Sequence, residues 1–68
     1  MTLKLLTLRE KEIFNLLLKK LTTKDISIQL NISEKTVRNH ISNVIQKLGV
    51  KGRTQAILEL IKIKELEI

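Results

Sequence analysis

Between Ser33 and Gly49 the chain marks one helix at both of its ends. A serine oxygen accepts from the free N–H groups of a first helical turn, and a glycine takes the left-handed conformation that stops a helix. Lys47 sits in the last turn, where a cation suits the helix dipole. Between the caps, Val37, Ile41, Val44 and Leu48 follow at steps of four, three and four, giving one apolar stripe. A chain of 68 residues that commits residues 33–48 to one amphipathic helix must bury that stripe against the remainder.

The remainder reads as helical too. Ile13, Phe14, Leu17 and Leu21 recur at helical spacing, and Thr7 with Glu10 three residues on forms a capping box, so helix 1 is expected at about 8–20. Thr22 and Asp25 repeat that signal for a short helix 2 at about 23–30, with Ile26 and Leu30 inward. Aspartate is one methylene shorter than glutamate, so its reciprocal bond is expected to be weaker. Asn31 tolerates the left-handed stop. Beyond Gly52, Ala56, Ile57, Leu60 and Ile61 form a last stripe. The chain contains no proline to break these patterns. The expected class is all-α: one domain over 1–68, with a helix-turn-helix core at about 22–49.

Several function classes drop out. Without cysteine there is no thiolate chemistry and no disulfide framework. His40 is the sole histidine, so neither a metal site nor a catalytic cluster is expected; no cofactor is implied and the chain does not read as an enzyme. Phe14 is the sole aromatic residue, whereas readers of single strands stack bases on aromatic rings. No run approaches the ~18 apolar residues of a membrane span. The start, MTLKLLTLREKE, becomes charged too early for a signal peptide, so a cytoplasmic location is the default. Residues 1–53 carry a balance of +7 and residues 54–68 a balance of −1, which gives the net charge of +6. A polyanion would face the basic part, although a positive excess alone also fits mere solubility.

A short helix, a tight connection and a longer capped helix make a helix-turn-helix, whose second helix lies in the major groove of DNA. Removing the apolar stripe of helix 3 leaves Lys35, Thr36, Arg38, Asn39, Ser42, Asn43, Gln46 and Lys47 outward. All form hydrogen bonds and none is acidic; Glu34 lies in the first turn, where the dipole favours it. Solvated surface helices ordinarily mix acids with bases. Arginine binds guanine and asparagine binds adenine through paired hydrogen bonds, so this face fits base edges better than bulk water.

These residues carry a resemblance. The run ISEKTVRNHISNVIQKLGVKGR at 32–53, LTLREKEIFNLL at 6–17 and TTKDIS at 22–27 resemble, in order, the motifs of the LuxR/FixJ-type helix-turn-helix family. The resemblance covers nearly the whole chain and implies four helices, the fourth forming a dimer contact. It implies base contacts from Arg38, Asn39 and Ser42, with Asn43 a further candidate, and phosphate contacts from Lys24, Thr36, Lys47, Lys51 and Arg53. His40 falls at the edge of the helix 3 packing, with a phosphate bond as the other reading. The dimer contact would involve Leu58, Ile61, Lys62 and Leu66. Two departures stand out. Ser27 replaces the usual alanine, and its hydroxyl is expected to bond the carbonyl four residues earlier. Leu21 stands where many members place glycine, which leaves that turn open. Small size, the run SEKTVRNHISN and the ending ELEI are most similar to the stand-alone late-sporulation regulators of spore-forming bacilli, which implies control of spore-coat genes.

The tail supports two readings. Leu58, Ile61 and Ile68 fit the core of a monomer, but helix 4 carries more apolar surface than so small a domain covers, which points to a homodimer. The expected partners are double-stranded DNA, a second copy and RNA polymerase, with no membrane. Two alternatives are the effector domain of a larger response regulator and a protein-interaction module built on helix 4. Met1 and the full helical set favour a stand-alone protein.

Overall fold

The computed structural model describes residues 5–66. Its elements are α1 (Leu8–Leu18), α2 (Thr23–Leu30), α3 (Glu34–Leu48) and α4 (Arg53–Lys62). None of them is long and apolar enough to cross a membrane. Ile68, expected in the apolar tail, lies outside the described residues.

Each of the first three helices starts where its side-chain cap dictates. In α1 the Glu10 N–H donates to Thr7 Oγ1 at 3.1 Å and the Thr7 N–H donates to Glu10 Oε1 at 2.9 Å. In α2 the Asp25 N–H donates to Thr22 Oγ1 at 3.1 Å, while the reciprocal bond from the Thr22 N–H to Asp25 Oδ2 is longer, at 3.2 Å. Ser33 caps α3 through the Thr36 N–H. By contrast, Gly52 precedes α4 and offers no side-chain cap.

All four helices stop in one way. A left-handed residue follows each helix: Lys20, Asn31, Gly49 and Lys64. The next N–H reaches back across the last turn, as from Leu21 to the Leu16 carbonyl, Ile32 to Ser27, Val50 to Ile45 and Glu65 to Leu60. Carbonyls that a helix end would leave orphaned are thereby satisfied. Helix 1 accordingly ends at Leu18 rather than near residue 20, because the stop falls on Lys20 at φ +67°. The open question at Leu21 resolves the same way: the left-handed position is Lys20, and Leu21 packs half-buried against the core. A left-handed side-chain-bearing residue costs roughly 1–2 kcal/mol, so Lys20→Gly is expected to raise the melting temperature by about 4 °C after glycine's greater unfolded-state freedom is subtracted. A thermal melt checks this, and an unchanged or lower midpoint would contradict it.

Helix α3 lies at the centre and packs against the other three. Val37, Ile41 and Val44 are buried as their spacing demands, and Leu48 is half-buried beside them. They meet Ile13, Phe14 and Leu16 of α1, Ile26 of α2, and Ala56 and Leu60 of α4 in one cluster. Ser27 is buried, and its hydroxyl donates to the Lys24 carbonyl at 2.7 Å. That acceptor lies three residues back rather than four, a reach that a helical hydroxyl rotamer allows equally. Leu66, expected at a dimer contact, is 2% exposed and belongs to the protomer's own core. The chain turns back at Lys64 and brings Leu66 in beside Leu60, whose carbonyl accepts from the Leu66 N–H.

Candidate nucleic-acid interface

Because an α-helix advances about 100° per residue, burying Val37, Ile41 and Val44 decides what α3 turns outward. Asn39, Ser42 and Gln46 fall opposite the stripe, Asn43 beside them and Arg38 on one shoulder. Arg38, Asn39, Ser42, Asn43 and Gln46 are all exposed. Thr36 and His40 lie on the other shoulder and are half-buried. Thr36 Oγ1 is 2.8 Å from Ser33 Oγ, so the cap also orients this hydroxyl. The four candidate base readers thus share one side of one rigid element.

Arg38 is not unopposed. Its Nη1 lies 3.3 Å from Glu34 Oε2, one turn earlier. Sequence reasoning assigned Glu34 to the helix dipole alone and missed this pair, although the four-residue spacing signals it. The pair is exposed and worth roughly 0.2–1 kcal/mol, less than the ~1–3 kcal/mol of a paired contact to guanine, so it would not hold Arg38 back from such a contact.

Lys24, Lys51 and Arg53 are exposed at the entry to α2 and on either side of Gly52. The first turn of α4 contains no acid, whereas those of α1, α2 and α3 contain Glu10, Asp25 and Glu34. With no side-chain cap either, the N-terminus of α4 offers free N–H groups between two cations, a setting that suits a phosphate. The missing cap at Gly52 was visible in the sequence but was read only as a separator.

Lys47 differs from the other cations expected to meet phosphate. Its ammonium lies 2.6 Å from Glu10 Oε1 and donates to the Leu5 carbonyl at 3.3 Å. Glu10 is 3% exposed. The Lys47 ammonium is therefore engaged inside the protomer, because a buried carboxylate demands a counter-charge. Burial by itself pushes the Glu10 carboxyl up. The Lys47 hydrogen bond, the Thr7 N–H, the Lys47 charge and the Thr7 hydroxyl outweigh that and hold it below the usual carboxylate value. A carboxyl lowered by folding stabilises the fold fully above its unfolded value, and that contribution disappears as pH falls through the lowered one. Acid titration of the melting temperature is therefore expected to fall in that window, and Glu10→Gln to flatten the fall. An identical acid profile for Glu10→Gln would show that other carboxylates carry it.

The fold and this face define a helix-turn-helix protein of the DNA-reading class. Residues 4–60 match the family described as "Bacterial regulatory proteins, luxR family", and the chain belongs to that family. It is a regulatory protein and not an enzyme. It is 64% identical over 64 residues to the spore germination protein GerE of Bacillus subtilis, covering 94% of this chain and 86% of that protein. It is 48% identical over 60 residues to the transcriptional regulatory protein DegU of Brevibacillus brevis, spanning 88% of this chain but 25% of DegU. Among solved structures, the transcription factor GerE superimposes with a TM-score of 0.93 at 71% identity, covering 96% of this chain and 97% of that one. The response regulator ChrA of a heme-sensing two-component system superimposes at 0.85 with 33% identity, covering 97% of this chain and 33% of that one.

Proposed function

We propose that this chain is a sequence-specific regulator of sporulation genes that binds duplex DNA as a homodimer in the cytoplasm. The observation that carries the reading is the acid-free outer face of α3, held outward by the buried Val37, Ile41 and Val44. Arg38, Asn39, Ser42 and Asn43 then read base edges, and Lys24, Thr36, His40, Lys51 and Arg53 hold the phosphates on either side. The sporulation role rests on the similarity to GerE, of which this chain covers most of the length.

The dimer reading rests on α4. Leu58 is 62% exposed and Ile63 is 45% exposed, and they flank the half-buried Ile61 and the exposed Lys62. An apolar strip on a helix whose other side is already packed favours a second copy. Leu66 supports that helix from within the protomer. RNA polymerase is the further partner expected of a transcription regulator.

Selection of bound duplexes from a random pool tests the whole reading. The expected product is a roughly palindromic site with half-sites about 10 base pairs apart. Three free cations per protomer, Lys24, Lys51 and Arg53, give a log–log salt slope of about −5 for a dimer. No enriched sequence would overturn the regulator reading, and an enriched half-site without a second copy would overturn the dimer.

A further inference from the structure

Glu10 is a buried carboxylate of α1 that is bonded across to α3. Its Oε1 accepts both the Thr7 N–H at 2.9 Å and the Lys47 ammonium at 2.6 Å. The same ammonium donates to the Leu5 carbonyl at 3.3 Å. The Leu5 N–H in turn donates to Glu65 Oε1 at 3.1 Å, in the turn after α4. One carboxylate and one ammonium therefore join the first turn of α1, the last turn of α3 and the segment that is itself tied to the end of α4.

We propose that Glu10 and Lys47 act together as positioning residues for DNA recognition, setting the angle of α3 rather than touching DNA. The proposal rests on α3 being the reading helix. An ammonium that swung out to a phosphate would strand the Glu10 carboxylate without a counter-charge. That costs more than one solvent-exposed phosphate contact returns. Lys47 is nine residues, about 13 Å, from Arg38 on one rigid helix, so fixing its end fixes the tilt of the readers. It also lies four residues before Lys51, so the same anchor places the loop that leads to Arg53. The buried stripe sets which way α3 is rolled, and the ion pair sets how its far end is held.

The test uses Lys47→Met, Glu10→Gln and the double variant, each titrated against the duplex selected from the random pool over a range of salt. If the pair positions α3, each single variant binds about tenfold more weakly. The double variant is then no weaker than the worse single one, and the salt slope equals that of the unsubstituted protein. A slope shallower by about two for Lys47→Met, one lost contact in each protomer of the dimer, would make Lys47 a phosphate contact and overturn the proposal. Full affinity in either single variant would overturn it too. Where Lys47→Met does not fold by circular dichroism, Lys47→Gln removes the same charge while keeping an N–H donor for Glu10, and the same slope criterion applies. Arg38→Ala run in parallel separates the two claims: unchanged affinity and preference there would fault the reading helix itself, not the anchor.

Discussion

Arg38→Ala is expected to weaken binding to the selected duplex by ~1–3 kcal/mol and to relax the preference at one base pair in each half-site. Arg38 is exposed on a shoulder of α3, and its side chain reaches outward from a helix whose opposite side is immobilised in the core. Its one partner in the free protein, Glu34, holds it weakly at 3.3 Å, so little is lost when it turns to DNA. Competition titrations against duplexes altered one base pair at a time measure the effect. A uniform loss on every duplex, with a salt slope shallower by about two for the dimer, would make Arg38 a phosphate contact. Asn39→Ala is the companion measurement, since Asn39 stands opposite the stripe and would read a different base pair from Arg38.

Phe14→Ala is expected to remove most of the fold's stability. Phe14 is the one aromatic residue of the chain, is fully buried, and lies in the cluster joining all four helices. Deleting a buried phenyl ring costs ~3–5 kcal/mol in lost transfer energy and residual cavity. A domain of this size is stabilised by roughly 3–10 kcal/mol in total. Thermal unfolding followed by circular dichroism should therefore lose its cooperative transition or shift down by about 12 °C or more. DNA affinity should fall with the folded fraction and recover at low temperature. A shift of only a few degrees would mean that neighbouring leucines collapse into the space, and Phe14→Leu gives the reference for that.

The caps and the apolar periods made α3 legible from sequence alone, because Ser33, the stripe and Gly49 each report a local requirement of the backbone. Helix 2 was legible for the same reason. Helix 1 read two residues too long, since a lysine in the left-handed conformation carries no local signal of a stop. The Lys47–Glu10 pair was not legible, for a different reason. The two residues are 37 positions apart, and a local pattern shows only that each suits its own helix end. Leu66 was assigned outward because apolar spacing distinguishes neither core from interface nor a continuing helix from a chain that doubles back. The candidate reading face followed from subtraction: once the buried side of α3 was known, the outward residues were fixed, and their lack of acids favoured DNA over a merely solvated face.

The shared way in which the helices stop has a consequence for how this chain tolerates change. In each of the first two turns, a left-handed residue closes one helix and, within two residues, a hydroxyl opens the next. No residue in those turns is a spare spacer. A single inserted residue between Lys20 and Thr22, or between Asn31 and Ser33, would separate the closing bond from the opening one and rotate the following helix about its own axis. Variation in length is thereby barred from the connections, and adaptation to a new DNA site is left to exchange side chains on α3 at constant length.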